Sequence, residues 1–168
     1  MNAHVPIEVG NMAVEELIAY IVSRFHAGHR EQLPELIQMS RRVEHVHAGH
    51  PRCPEGLADE LEVHLQEMES HMLKEEQVLF PMLARGMHDQ VRGPISVMMF
   101  EHEQHFNAVE RIHHLTNDLI LPDGACNTWR RLYAGLGAYA QELMQHIQVE
   151  NDVLFAKASQ AVKGAQHA

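Results

Sequence analysis

A chain of 168 residues is long enough to bury one hydrophobic core without disulfide or metal staples, so a metal is optional for folding. Lys and Arg number 13 against 23 Asp and Glu, and the formal charge of −10 has the wrong sign for tracking a phosphate backbone or an anionic membrane surface. With 15 histidines and 10 methionines but only five Phe, three Tyr and one Trp, the composition suits helices bearing imidazole better than a β-sandwich, and histidine is the excess to explain.

Residues 1–10 are expected to be a flexible N-terminus and 12–23 a short helix. The first long helix should cover 25–48 with Gly28 and Pro34 inside it. Pro34 has no N–H to return to Arg30, so a kink or a late start is expected there. After a break at 49–56 (GHPRCPEG), Leu61, His64, Leu65, Met68, Met72, Leu79 and Met82 make one apolar stripe on a second helix. A break at 85–93 precedes a third, which begins near Pro94 and carries Ile95, Met98, Met99, Phe106, Val109 and Ile112. The turn LPDG at 121–124 leads to a fourth, with Trp129, Leu132, Tyr133, Leu136, Leu143, Ile147 and Leu154, and 159–168 should be a flexible tail. Short connections between long amphipathic helices make antiparallel neighbours. The expected fold is therefore all-α: one domain over 1–168, an up-down-up-down four-helix bundle over 25–158 preceded by the short N-terminal helix.

One segment repeats. Residues 71–80 read HMLKEEQVLF and 146–155 read HIQVENDVLF, sharing H-x3-E-x2-VLF. If the bundle is a doubled hairpin, His102 on the third helix corresponds to His26 on the first. Two residues at one height on antiparallel neighbours have their midpoint in the connecting turn. The midpoints of His26 and His71, His71 and His102, and His102 and His146 fall beside Gly49, at Gly86 and Met87, and at Gly124. One histidine from each helix thus meets the others at a single level, with Glu75 and Glu150 about one turn further along.

Four buried imidazoles and two buried carboxylates would cost several kcal/mol, on the order of a buried unpaired ion, unless a cation tied them together. Imidazole with carboxylate and no thiolate suits iron, manganese, zinc or copper, and an oxygen-only calcium or magnesium shell is absent. Two carboxylates among four histidines favour a bridged pair of ions with open positions. A ferritin-like site is the competing pattern, because Glu44-x-x-His47 and Glu110-x-x-His113 match its Glu-x-x-His motif, but the offset separates the two pairs by about 15 Å along the axis. His45, His47, His50, His113 and His114 are assigned to solvated faces or helix ends, and His29, His64 and His105 near the core but outside the ligand set. Glu67, four residues before His71, and Glu101, beside His102, are candidate proton relays or metal-steering groups. Cys53 and Cys126 form no CxxC; they fall in turns at one end of the bundle and are expected to lie near each other there. No leader pattern and no run of 18 apolar residues is present, which with the cysteine usage points to a cytoplasmic protein.

The segments FHAGHREQLPEL, ESHMLKEEQVLFPML, GPISVMMFEHEQH, ACNTWRRLYAGL and HIQVENDVLF resemble hemerythrin-like proteins over essentially the whole chain, and within them the iron-sulfur cluster repair family, also called repair of iron centres. The resemblance implies two non-haem iron ions, oxo- or hydroxo-bridged, held by His26, His71, His102 and His146 and bridged by Glu75 and Glu150. Oxygen-carrying hemerythrins have H-x3-H on the third helix and H-x4-D on the fourth, whereas here Phe106 follows His102 by four and Glu150 supplies the carboxylate. A missing imidazole disfavours reversible oxygen carriage and favours nitric oxide chemistry or iron release. Longer family members carry a small N-terminal domain with a cysteine pair, which this chain is expected to lack. The implied role is repair of clusters damaged by nitrosative or oxidative stress, as an iron donor to damaged iron-sulfur proteins. Nitric oxide reduction or scavenging, and sensing or storage of a diatomic gas or iron, are the alternatives.

Overall fold

A computed structural model describes residues 8–166, and every regular element among them is helical. Four long helical runs make the body. The first joins α1 (Val14–Tyr20) through a π-helical turn (Ile21–His26) to α2 (Ala27–Val46). The second joins α3 (Leu57–Lys74) through a π-helical turn (Glu75–Leu79) to α4 (Phe80–Ala84). The third is α5 (Arg92–Leu115), and the fourth joins α6 (Asn127–Gln148) through a π-helical turn (Val149–Leu154) to α7 (Phe155–Gln166). Helix α2 packs on α3 and α6, and α3 on α5. On α6, Gly135 makes room for α2: a Cβ there would meet Leu36 Cδ2 at 2.8 Å.

The breaks expected at 49–56, 85–93 and 121–124 all hold glycine in the left-handed region, including Gly86 at φ 69° and Gly124 at φ 77°. Three expectations change. The helix expected at 12–23 is not separate, because it runs into α2 without a break. No strong breaker lies between Tyr20 and Ala27, and a π turn absorbs the irregularity. Nor does the first long helix start late at Pro34: α2 begins at Ala27, and Leu33, Leu36 and Ile37 bury the stripe around the proline and outweigh the lost bond. The tail expected from 159 continues as helix to Gln166, anchored by buried Phe155 and Ala158. Of the N-terminus expected at 1–10, residues 1–7 lie outside the described range. Val9 is buried in a 3-10 turn.

The third helix stops earlier than LPDG implies. Asn117, Asp118 and Leu119 are all left-handed, with φ of 50°, 56° and 60°. The Leu119 N–H donates to Thr116 Oγ1 at 3.2 Å, the Asp118 N–H donates to the His113 carbonyl at 2.8 Å, and the Leu119 side chain packs into the core. These contacts hold a leucine in a conformation it rarely adopts.

Two apolar clusters fill the interior. One uses Leu33 to Val43, Leu57 to Met72 and Trp129 to Ile147; the other uses Leu17 to Phe25, Leu79 to Leu83, Val91 to Met98 and Val149 to Ala158. On each run the changeover between clusters falls at or beside His26, His71 with Glu75, His102, or His146 with Glu150. The polar residues form a layer between two greasy ends.

Candidate metal centre

Each run delivers its polar group at that changeover. His26 closes the first π turn, Glu75 opens the second and Glu150 lies in the third, while His71, His102 and His146 project from α3, α5 and α6. All six are at most 1% exposed. A π turn displaces the residues beside it from regular helical register, and such turns are frequent at functional sites. Each copy of the repeated H-x3-E-x2-VLF segment carries one at its glutamate, opening at Glu75 in the first and one residue before Glu150 in the second.

The ligand atoms form two overlapping groups, His26, Glu75, His146, Glu150 and His71, Glu75, His102, Glu150, in each of which they lie within 4.8 Å of one another. Glu75 Oε1 stands 3.3 Å from His26 Nε2 and 3.2 Å from His71 Nε2. Glu150 Oε1 stands 3.1 Å from His102 Nε2 and 2.9 Å from His146 Nε2. Both carboxylates are thus shared between the groups. The four Nε2 atoms and four carboxylate oxygens are all buried without a hydrogen-bond partner. Orphaned buried polar atoms are rare and costly. Eight of them converging, nitrogen and oxygen with no thiolate, fit two borderline transition-metal ions.

The opposite ring nitrogens are satisfied. His26 Nδ1–H donates to Glu76 Oε2 at 3.1 Å, and Arg30 grips Glu76 and Glu69 with its guanidinium, Nη2 lying 2.8 Å from Glu76 Oε2. His71 Nδ1–H donates to Glu101 Oε1 at 3.1 Å, and Lys74 pairs with the other oxygen of that carboxylate. His102 Nδ1–H donates to Asn151 Oδ1 at 2.8 Å, and His146 Nδ1 meets His29 Nε2 at 3.0 Å. Partners of this kind fix the tautomer that leaves Nε2 free for a metal.

In the metal-free chain these contacts pull the site in opposite directions. Burial lowers the His71 pKa, but its hydrogen bond to Glu101 and the close carboxylates of Glu75 and Glu150 outweigh burial and raise it to about 10. Burial raises that of Glu150, but the neighbouring Glu75, His102 and His71 bring it down to about 2. Burial holds His146 well below the usual imidazole range, and with the neighbouring His146 it lowers His29 to about 2, which suits His29 as a neutral acceptor.

Of the candidate relays, Glu101 lies on His71, and the hydrogen bond from that ring is the first cause holding its carboxyl below the usual range. Glu67 makes no hydrogen bond or ion pair with any of the six. Glu44, from the ferritin-like pattern, accepts the backbone N–H groups of Gly56 and Ala58 at the start of α3. Cys53 and Cys126 are free thiols. Cys126 Sγ lies 3.2 Å from His47 Nε2, and His47 packs against Trp129. His45, His50 and His114 are exposed, His47 and His113 partly so, and His29, His64 and His105 are buried. Sequence reasoning missed Glu76, Asn151 and the role of His29. The repeat held a signal for two of them, since Glu76 and Asn151 each follow the repeated glutamate and each secures a histidine of the preceding run.

A helical bundle with two buried His/Glu groups sharing their carboxylates is the architecture of a dinuclear metal protein, and it can hold a di-iron centre. The chain belongs to the hemerythrin HHE cation binding domain family, which it matches over residues 17–158. It is 51% identical over 142 residues to the iron-sulfur cluster repair protein YtfE of Yersinia pseudotuberculosis serotype IB (strain PB1/+) and, to the same extent, to that of Yersinia pestis (strain Pestoides F). Each match covers 84% of this chain and 64% of the relative, so the chain spans less than two thirds of the length of these curated proteins.

Proposed function

We propose that this chain is a non-haem di-iron protein that acts in the repair of iron-sulfur clusters damaged by nitrosative or oxidative stress, supplying iron to the damaged protein. His26 and His146 would hold one ion, His71 and His102 the other, with Glu75 and Glu150 bridging. The observation that carries this reading is the convergence of eight unpartnered donor atoms in a dry layer, and its biological half rests on the relatives named iron-sulfur cluster repair proteins. We read the four runs as up-down-up-down, with α1 as the N-terminal extension of the first. No helix among the described residues is long and apolar enough to cross a membrane, and the proposed setting is the cytoplasm, with damaged iron-sulfur proteins as partners.

When bound, two ferrous ions supply open coordination positions for a diatomic ligand and two electrons. The protein's own groups orient the imidazoles through Glu76, Glu101, Asn151 and His29, and exclude water by burial. A second reading is reduction of nitric oxide, in which two NO, two electrons and two protons give N2O and water. It is favoured by Lys74 and Glu101, which lead from the surface to His71 Nδ1. Anaerobic mixing of the diferrous protein with nitric oxide, and separately with an apo iron-sulfur protein, distinguishes the two. Iron appearing in the apo protein as a rebuilt cluster supports repair, and multiple-turnover N2O supports the enzyme. A stable nitrosyl adduct with neither would leave a sensing or storage module and overturn both.

A further inference from the structure

Beyond the dinuclear layer, a second cluster of metal-binding side chains lies between α3 and α5. His64 and His105 are buried, Glu67 is exposed, and one ligand atom from each lies within 4.8 Å of the others. Nothing in the dinuclear centre uses them. His64 Nε2 is 2.6 Å from Tyr139 Oη, which fixes the ring, but His64 Nδ1 and both nitrogens of His105 are buried without a partner. Three orphaned imidazole nitrogens are a cost that core packing alone does not explain. The exposed carboxylate supplies the negative charge that would draw a cation to them.

We propose that His64, Glu67 and His105 form a third, mononuclear site for a divalent transition-metal ion, on the solvent side of the dinuclear centre. Two imidazoles and one carboxylate are the donor set of sites that bind ferrous iron with positions left open. Donors about 2.1 Å from one ion stand up to about 4.2 Å apart, so the observed grouping closes onto an ion with small side-chain adjustments. Glu67 and His105 line a cleft of about 530 Å³ together with Ser70, Lys74, Glu101 and Gln104, so water can complete the coordination. The His105 ring centroid is 4.8 Å from that of His71 and 5.8 Å from that of His64. His105 lines the cleft and touches both His71 and His64. An ion here would lie beside the His71 side of the dinuclear centre.

Anaerobic titration of the metal-free chain with cobalt(II), followed by optical absorption and calorimetry, counts the ions. The wild type should take three equivalents. Glu67→Ala, at an exposed position where folding is not at risk, should lose one of them or weaken it at least a hundredfold while the other two keep their spectrum. His105→Gln should behave the same way. The difference between wild type and Glu67→Ala is the reading: a fall from three to two supports both centres, and a fall from one to none supports this site and overturns the dinuclear one. Equal stoichiometry and affinity in wild type and Glu67→Ala, whatever the total, would overturn the third site.

Discussion

At the scale of residues, Glu75 and Glu150 are the groups least tolerable without a cation. Each is fully buried and faces two imidazole nitrogens, with no hydrogen-bond donor assigned to its carboxylate oxygens. Replacing both by Gln keeps their volume and removes the bridging charge. The expected outcome is an unchanged far-ultraviolet helical signal with loss of two-ion loading by metal analysis; two tightly held ions in the variant would overturn the bridging assignment. Arg30 is a subtler case, because it touches no ligand and acts by holding Glu76 against His26. Arg30→Ala should weaken metal affinity about tenfold without changing the stoichiometry. Arg30→Lys should restore only part of it, since a lysine cannot grip Glu69 and Glu76 together. The six inner residues were legible in the sequence because helical rise and turn position set their height. The outer partners were not. His29 reaches His146 from the next turn of the first run, which depends on a rotamer that spacing does not encode.

At the scale of elements, three of the four runs carry a π turn at the polar layer, and α5 does not. A π turn takes one residue more than an α turn, so the helical segments on either side keep facing the same way while the residues within the turn shift. Deleting Val78, which is 52% exposed in the second π turn, should restore a regular helix there. Both apolar clusters then stay in register, and cooperative melting should persist while metal loading falls. Collapse of the fold would show that the extra residue is not accommodated locally. The repeat was readable, but the π turns inside it were not, because they are defined by backbone hydrogen bonds that residue types do not encode. The same blindness separated 12–23 from the first long helix, where the structure joins them. Nor did anything near Asn117 announce three left-handed residues, which Thr116 and the burial of Leu119 impose from outside the local sequence.

At the scale of the whole molecule, the fold is two apolar clusters joined through a polar waist, and its stability depends on what the waist contains. In the metal-free protein His64 is buried; burial, and then the Arg111 cation, lower its pKa from 6.5 to about 4. A base whose folded pKa is lowered is protonated first in the unfolded chain. Its contribution is therefore complete above pH 6.5 and is lost as pH falls toward 4, at about 1.4 kcal/mol per pH unit. Chemical denaturation across that window should show this slope flattened in His64→Gln, and an identical slope would show that His64 already titrates freely in the folded chain. Composition pointed to histidine but did not divide it. The structure does: four imidazoles face the shared carboxylates, His29 supports one of them, and His64 and His105 stand apart.

The rings around the waist are not equally covered. Phe25 lies flat on His146, Phe80 on His26 and Phe155 on His102, with interplanar angles of 7°, 16° and 10°. Among the described residues no phenyl ring stacks on His71; His105 meets it edge-on, beside the cleft that reaches Glu101. The two imidazole pairs therefore differ in cover: both His26 and His146 lie against a phenyl ring, whereas of the other pair only His102 does. Under the proposed role as an iron donor, the ion between His71 and His102 is expected to leave before the one beneath Phe25 and Phe80. A chain holding one ion would then be a distinct state of the protein.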